Sequence, residues 1–255
     1  MKSRKIGLAR ALSKFGYCSR SKAFALIRAG RVRLNGKLRR DPEFSVRMED
    51  DRIEVDGAPI CAAGFQYLML NKPRGVVTTA ADEKHRRTVY DLLPPHTSWL
   101  GPVGRLDKAS EGLLLLTNDS EWAARITAPE SHLPKRYHVQ VPCNSPDEVA
   151  NRIRQGVESD NEFLRVRGVR VLRHGHVHAW FEVVLDEGRN RHIRRMLEQI
   201  GVECVRLVRV AIGPLELGEL PKGQARPLTG KEKDSIDESL RAGPLKSAEN
   251  LGPEA

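Results

Sequence analysis

The chain has 255 residues and a formal net charge of +10, with 40% hydrophobic and 5% aromatic residues. This excess of positive charge favours a polyanionic partner, and no apolar run approaches the roughly 18 residues needed to span a bilayer. The charged N-terminus lacks the apolar core of a signal peptide, and the four cysteines are too scattered for a disulfide framework. We therefore expect a cytoplasmic protein, without membrane association, that binds nucleic acid.

The positive charge is concentrated at the N-terminus, where thirteen lysines and arginines precede the first acidic residue, Asp41. Apolar spacing predicts one helix that ends at Gly16 and a second helix that is capped by Ser19 or Ser21 and ends at Gly30. The segments VRL and KLRRD, joined by NG, predict a hairpin, and DRIEVDG predicts a further strand. Residues 1–60 therefore read as a small folded basic module, with a disordered basic arm as the alternative.

A linker at residues 61–65 leads into a region where short strands alternate with helices. The segments that read as strands are YLMLNKP, GLLLLT, YHVQV, HAWFEVVL and VRLVRVAIGPLELGEL. Ser120 caps a short helix, and HIRRMLEQI is an amphipathic helix stopped by Gly201. This mixture predicts an α+β domain over residues 61–235, built on a largely antiparallel or mixed sheet flanked by helices. Residues 236–255 have little core-forming content and are expected to form a disordered tail.

The segment GPVGRLDKASEGLLLLTND places Asp107 on a glycine-flanked loop immediately before an apolar strand. A carboxylate in that position can be held rigidly and still reach a cleft. By itself, an aspartate in such a loop is more often a turn or capping residue. The chain contains no P-loop, HExxH or GxSxG motif, so an enzyme of this sequence must work without those devices.

The segment SRSKAFALIRAGRVRLNGK, residues 19–37, resembles the S4-type RNA-binding domain. In that family the second helix and the following loop present basic residues to structured RNA. Carried over by position, the resemblance implies five candidate RNA contacts: Arg20, Lys22, Arg31, Arg33 and Lys37. The plainer alternative for each is a side chain that only keeps the surface soluble.

The segment GRLDKASEGLLLLTND closely resembles the catalytic motif of the RsuA family of ribosomal RNA pseudouridine synthases. Four further segments match that family in order and spacing: NKPRGVVTT, KRYHVQV, DEGRNRHIRRM and RLVRVAIGPLELGELPKGQARPL. With the N-terminal module, the resemblance covers about residues 5–230. It implies the isomerisation of a uridine in ribosomal RNA without a cofactor. Asp107 would be the essential carboxylate, either attacking the anomeric carbon or removing a ribose proton.

The resemblance also assigns roles around Asp107. It implies that Arg189 is the ion-pair partner of that carboxylate, with a phosphate contact as the alternative. It also implies that Tyr137 stacks on the target uracil and takes part in proton transfer. Lys135 shares a strand face with Tyr137 and would line the pocket, and Arg105 would enter the RNA stack where the uridine leaves. The remaining candidates are phosphate contacts: Lys72, Lys108, Arg194 and Arg195.

Other interpretations remain open. A non-catalytic RNA-binding or ribosome-assembly protein could retain this fold. His174, His176 and His178 alternate along a strand and could bind a metal, but a solvent-facing strand is favoured and no metal site is predicted. The residues of KRYHVQV and EGRNRHIRRM resemble those of family members that modify large-subunit ribosomal RNA, which favours that substrate over small-subunit ribosomal RNA. The large-subunit member most similar in the catalytic domain, however, usually lacks the N-terminal module. We expect a monomer that acts on ribosomal RNA, either free or within an assembly intermediate.

Overall fold

The computed structural model describes residues 5–61, 64–80, 82, 84–94 and 98–243. The first part, residues 5–61, contains two helices and short strands. In chain order the elements are β1 (Ile6–Gly7), α1 (Leu8–Lys14), α2 (Arg20–Arg28), β2 (Val32–Leu34), β3 (Lys37–Arg39), β4 (Ser45–Val46), β5 (Ile53–Val55) and β6 (Ala58–Pro59). Four strands form an antiparallel sheet in the order β3-β2-β5-β6, and β1 pairs with β4.

The local signals in this first part act as predicted. Ser19 caps α2 by accepting a hydrogen bond from the backbone N–H of Lys22 at 3.2 Å. Asn35 and Gly36 both have positive φ, 51° and 76°, as the tight hairpin between β2 and β3 requires. The apolar faces of α1 and α2 close over the small sheet, and the resulting core includes Leu8, Leu12, Ala23, Ile27, Val32 and Ile53. Residues 5–61 are therefore a folded unit and not an unstructured arm.

The second part is built on one large sheet. Its elements up to residue 164 are β7 (Tyr67–Lys72), a 3₁₀ turn (Val89–Leu92), β8 (Gly101–Val103), β9 (Glu111–Thr117), α3 (Ser120–Thr127), a 3₁₀ turn (Pro129–Ser131), β10 (Lys135–Pro142), α4 (Pro146–Gln155), β11 (Val157–Ser159) and β12 (Glu162–Leu164). The remainder are β13 (Gly168–His174), β14 (His178–Leu185), α5 (His192–Gln199), β15 (Arg206–Ile212), β16 (Leu215–Glu216), β17 (Ala225–Pro227) and α6 (Gly230–Ala242).

The large sheet has the order β13-β14-β10-β15-β9-β7-β17, with β16 added to β15 and β8 added to β9. Its pairings are antiparallel except for that between β15 and β9, so the predicted largely antiparallel mixed sheet is confirmed. One core packs α4 and α5 against one face of the sheet, and a second core packs α3 and α6 against the other face near β9 and β7. No helix in the described part of the chain is both long and apolar enough to cross a bilayer.

The predicted disordered tail from residue 236 is wrong for residues 236–242, which continue α6. Ile236 is fully buried, and the carboxylate of Asp237 accepts a hydrogen bond at 2.9 Å from the indole N–H of Trp122. The helix begins with a capping box in which Thr229 and Glu232 exchange hydrogen bonds. Residues 244–255 of the predicted tail lie outside the described residues.

The two parts contact each other directly. The backbone N–H of Trp99 donates to the carbonyl of Gly16 at 2.7 Å, and Lys14 Nζ lies 3.0 Å from the Glu121 carboxylate. The buried residues of the first core end at Val55, and those of the second part begin at Leu68. This gap supports the proposed domain boundary near residue 60.

Candidate active site

Asp107 lies on a loop that connects β8 to β9, and hydrogen bonds to three backbone carbonyls of this loop hold it in place. Thr78 Oγ1 donates to the carbonyl of Leu106 at 2.8 Å, and the backbone N–H of Gly75 donates to the carbonyl of Lys108 at 2.8 Å. Arg194 Nη2 donates to the carbonyl of Ala109 at 3.0 Å. The half-buried carboxylate of Asp107 is therefore presented by a rigid loop, as the sequence predicted.

The close approach of β9 and β15 explains one glycine of the motif. Gly112 has a φ of +103°, and a Cβ at this position would lie 2.2 Å from the carbonyl oxygen of Arg209. Only glycine fits at such a contact. The parallel pairing of β15 with β9 therefore starts immediately after the Asp107 loop and brings Arg209 beside it.

The Asp107 loop forms one wall of a cleft of about 490 Å³. The other walls come from the start of β10, the loop between β14 and α5, and the middle of β15. Five of the predicted site residues line this cleft: Arg105, Asp107, Lys135, Tyr137 and Arg189. The structure thus brings together residues that are up to 84 positions apart in the sequence, between Arg105 and Arg189.

The predicted ion pair between Arg189 and Asp107 is not formed. Arg189 Nε lies 2.9 Å from the carboxylate of Glu187, and its Nη1 donates to the carbonyl of Phe163 at 3.2 Å. Glu187 is two residues away on the same loop, so its carboxylate can pair with Arg189 locally. The Arg189 side chain still lines the cleft, but it pairs with Glu187 and not with Asp107.

Lys72, predicted as a phosphate contact, is instead fully buried. Its Nζ donates to the carbonyls of Ser110 at 2.8 Å and Pro73 at 3.1 Å. Burial lowers the pKa of Lys72 to about 8, although the carboxylates of Asp107 and Glu111 act in the opposite direction. Lys72 is therefore mostly protonated at neutral pH, and it supplies the cation near Asp107 that the sequence assigned to Arg189.

Two more cations stand at the back of the cleft. Burial, together with repulsion from Arg209, lowers the pKa of Lys135 to about 8. Arg209 is 6% exposed, and its Nε donates to the carbonyl of Leu113 at 2.7 Å. Its Nη2 is buried and has no hydrogen-bond partner among the described residues. Such an orphaned donor is costly unless a ligand or water satisfies it.

Sequence analysis missed Arg209 as a site residue. In RLVRVAI it occupies the same face of the strand as the apolar, buried Leu207. An arginine on the apolar face of a strand is the sequence signal that could have identified Arg209 as a site residue. Sequence analysis also missed an ion cluster outside the cleft lining, in which the buried carboxylate of Glu111 contacts Arg206 at 2.9 Å and Lys222 at 2.5 Å. Burial alone would raise the pKa of Glu111, but the hydrogen bonds from Arg206 and Lys222 hold this pKa below its usual value.

Two further predicted phosphate contacts, Arg194 and Arg195, serve the fold. Arg194 bridges the carbonyls of Ala109 and Cys204, which ties α5 to the Asp107 loop. The side chain of Arg195 is 13% exposed and pairs with carboxylates of the β11–β12 hairpin, Asp160 at 3.1 Å and Glu162 at 2.8 Å. Both guanidinium groups donate to acceptors on loops that pack against the start of α5, although Arg194 Nε has no partner among the described residues. Lys108, by contrast, is exposed next to Asp107.

The N-terminal candidates divide in the same way. Arg31 pairs with Asp56 through two contacts of 2.8 and 2.5 Å, and Arg33 donates to the carbonyl of Gly36 at 3.0 Å. Arg20, Lys22 and Lys37 are exposed on α2 and at the start of β3. Arg31 and Arg33 are exposed as well, but of the five candidates only Arg20, Lys22 and Lys37 make no side-chain hydrogen bond or ion pair with the described residues.

Within the ranges that the structure describes, no three histidine, cysteine or acidic side chains are grouped so that they could hold a metal ion. The alternating His174, His176 and His178 therefore form no such group.

Comparisons with known proteins identify the family of this chain. Residues 66–199 match the family model described as RNA pseudouridylate synthase, and residues 6–53 match the S4 domain. An uncharacterized RNA pseudouridine synthase of Aquifex aeolicus (strain VF5) is 38% identical over 87% of this chain and 89% of its own length. Ribosomal large subunit pseudouridine synthase B of Bacillus subtilis (strain 168) is 35% identical over 88% of this chain and 93% of its own length.

A solved structure described as a crystal structure of pseudouridylate synthase has a TM-score of 0.62 and 29% sequence identity, and it covers 91% of this chain and 99% of that one. The family model spans just over half of the chain, and the relatives align over nearly their whole length. The chain therefore belongs to the RNA pseudouridine synthase family and carries an S4 domain at its N-terminus.

Proposed function

We propose that this protein isomerises a specific uridine of large-subunit ribosomal RNA to pseudouridine, with Asp107 as the reacting carboxylate. The observation that carries the proposal is the cleft itself. A rigidly held carboxylate faces Tyr137 and Lys135 across it, and the unpartnered Nη2 of Arg209 is buried in its lining. The ribosomal substrate is proposed because relatives named ribosomal large subunit pseudouridine synthase B, from Bacillus subtilis and Vibrio cholerae, share 35% and 34% of their aligned residues with this chain.

The reaction begins when the target uridine leaves its stack and enters the cleft. Arg105 is exposed at the mouth and can occupy the space that the base vacates. Tyr137 is 9% exposed at the wall and offers its ring to the uracil. The cleft volume of about 490 Å³ accommodates one nucleotide and leaves room for the base to turn.

The chemical steps conserve all atoms. The carboxylate of Asp107 either attacks C1′ or removes the proton from C2′, and the bond between C1′ and N1 breaks. The detached uracil carries a negative charge, rotates, and forms a bond from C5 to C1′. On the first route the ester bond between Asp107 and C1′ breaks as the new bond forms, and on the second route Asp107 returns its proton to C2′. The proton on C5 is then lost to a base and N1 is protonated, and Asp107 is again ionised. Both routes require Asp107 to be ionised at first, and the buried ammonium of Lys72 favours that form.

Lys135 and Arg209 are the groups best suited to hold the detached base. Their positive charges lie in a desolvated part of the cleft, where interactions with an anion are stronger than in water. A uracil oxygen or a neighbouring phosphate would satisfy Arg209 Nη2. We further propose that the S4 domain contributes affinity through Arg20, Lys22 and Lys37. The protein would act as a monomer in the cytoplasm, on free ribosomal RNA or on an assembly intermediate.

The decisive experiment maps pseudouridines across all ribosomal RNA in a deletion strain rescued with wild-type protein, Asp107→Asn or Asp186→Asn. Asp186 is a second carboxylate in the cleft lining, and it pairs with Arg167 at 3.1 Å. We expect one large-subunit site to disappear on deletion, to return with wild type and Asp186→Asn, and to stay absent with Asp107→Asn. Restoration by Asp107→Asn, or no altered site in the ribosome, would overturn the proposal.

A further inference from the structure

The large sheet leaves part of one face open. Along β10 and β15 the burial alternates, with Val139, Val141 and Leu207 buried under α4 and α5, whereas Gln140 and Val208 on the other face are half-exposed. On that second face, α3 and α6 cover the sheet near β9 and β7. The strands β13, β14, β10 and β15 therefore present an open surface to solvent. Its residues are mostly polar or charged, as the solvated face of an antiparallel sheet commonly is.

One row of side chains crosses this surface. In the strand register Arg173 stands opposite Trp180, Trp180 opposite Gln140, and Gln140 opposite Arg206. The guanidinium carbon of Arg173 lies 5.0 Å from the centre of the Trp180 ring, and that of Arg206 lies 5.4 Å from it. Both distances are within the range of cation–π attraction. The half-exposed ring borders a depression of about 320 Å³, which His138, Leu172 and Val208 also line.

The charges around the row favour an anionic ligand. Five cations and three carboxylates lie on this face or at its edge; the cations are Arg136, Arg170, Arg173, Arg206 and Lys222, and the carboxylates are Glu111, Glu182 and Glu216. Each carboxylate is already shared between or occupied by these cations. Arg173 is exposed and has no carboxylate partner among the residues that the structure describes.

We propose that this open face, the Trp180 row (Arg173, Trp180, Gln140 and Arg206), binds a single-stranded segment of the substrate RNA. One base would stack on the indole of Trp180, and Arg173 would neutralise an adjacent phosphate. Aromatic rings on an exposed sheet stack RNA bases in this way, and nearby arginines add cation–π and phosphate contacts. The identity of the RNA rests on the proposed function, but the binding surface itself does not.

The location of the row determines which RNA can reach it. Tyr137 points into the cleft side, whereas Gln140, three residues along β10 and about 10 Å away, points to the opposite face. A strand of RNA that leaves the cleft must therefore pass an edge of the sheet before it reaches Trp180. We therefore expect a minimal stem-loop around the target uridine to leave the Trp180 row empty, and a substrate with a single-stranded extension to reach it.

The test compares the dissociation constants of a minimal stem-loop and of the same RNA with a single-stranded extension. Trp180→Ala and Arg173→Ala are measured against Arg152→Ala, which removes an exposed cation from α4 on the covered side of the sheet. We expect Trp180→Ala to weaken binding of the extended RNA about fivefold or more and to leave the stem-loop unchanged. Arg173→Ala should weaken only the extended RNA and reduce the salt dependence of its binding.

A cross-linking experiment locates the contact independently. An extended RNA that carries 5-iodouridine in the extension should cross-link to β13 or β14 in the wild-type protein and not in Trp180→Ala. If Trp180→Ala lowers the melting temperature, Arg173→Ala, which changes an exposed side chain, decides the outcome. The proposal is overturned if both variants bind extended RNA as tightly as Arg152→Ala does, or if cross-links map only to the cleft and the S4 domain.

The two proposals can fail separately. Pseudouridine formation in the minimal stem-loop depends on the cleft and reports on the proposed function. Binding of the extension depends on the Trp180 row, and it remains measurable in Asp107→Asn. An inactive wild-type protein whose binding of extended RNA still depends on Trp180 would refute the function and support the surface.

Discussion

In the S4 domain the side chains of Arg20, Lys22 and Lys37 are exposed, whereas around the cleft Lys72, Arg194 and Arg195 are largely enclosed by the protein. The first group faces solvent. The second donates hydrogen bonds to carbonyls or pairs with carboxylates. The same residue types thus perform different work: these three cations of the S4 domain remain available for a polyanion, while these three cations of the larger domain hold its own loops in place.

The strongest test of this comparison is Glu111→Ala. The buried carboxylate accepts hydrogen bonds from Arg206 and Lys222 and attracts the ammonium group of Lys72. Its removal deletes three charge-assisted hydrogen bonds and opens a void. We expect the free energy of unfolding to fall by about 3 kcal/mol. Urea denaturation measures the change, with Glu203→Ala, which removes an exposed carboxylate three positions before Arg206, as the matched control. A loss no larger than that of the control would refute the structural role of the cluster.

Arg195→Ala should have the next largest effect. This guanidinium contacts Asp160, Glu162 and the Ser159 carbonyl, and thereby fixes the β11–β12 hairpin to α5. Hydrogen bonds to charged groups suggest a loss of about 2 kcal/mol. Hydrogen exchange should show faster exchange in the hairpin and little change in the S4 domain. The exposed Arg152→Ala should cost under about 0.5 kcal/mol; equal losses for the two variants would contradict the assignment.

These enclosed arginines show where sequence reasoning stops. Ser19 and the Asn35-Gly36 turn act through neighbours a few residues away, so their structures could be predicted. The position of Asp107 in a cleft could also be predicted, because its motif is contiguous. Whether an arginine faces RNA or a carbonyl depends on contacts across the fold, such as that between Arg194 and Ala109. A sequence records the charge of a residue but not its burial.

The error in α6 has a similar cause. The residues T-G-K-E carry the spacing of a capping box, a local signal that was available in the sequence. The helix nevertheless reads as a polar tail because only Ile236 and Asp237 are buried. Asp237 is stabilised by Trp122, 115 positions earlier, and that partner cannot be inferred from the local pattern.

The pH dependence of the free energy of unfolding tests whether Lys72, one of the enclosed cations, is desolvated in the folded protein. Its pKa is about 8 in the folded protein, below the ordinary value of 10.5 that holds when the chain is unfolded. Between these values the unfolded state binds more protons, so the stability that Lys72 contributes must rise with pH. Relative to Lys72→Met, wild type should gain roughly 1 to 2 kcal/mol between pH 8 and 9.5. Parallel stability curves for the two proteins would show that the ammonium is not desolvated.

The smallest effects on stability should come from the exposed cations of the S4 domain. Because Arg20, Lys22 and Lys37 are accessible to solvent, replacing all three with alanine should change the free energy of unfolding by less than about 0.5 kcal/mol for each. RNA affinity should nevertheless fall several-fold at low salt. Each lost phosphate contact should also reduce the slope of log K against log salt concentration by roughly 0.7 to 0.9.

A second S4 variant makes that measurement selective. Arg31 and Arg33 carry the same charge, but their guanidinium groups already contact Asp56 and the Gly36 carbonyl. Replacing these two with alanine should therefore reduce the salt slope less, per charge removed, than replacing the three exposed cations does. If the slope falls equally per charge in both variants, RNA displaces the internal partners or binds by net charge alone. The distinction between available and engaged cations would then hold for stability but not for RNA binding.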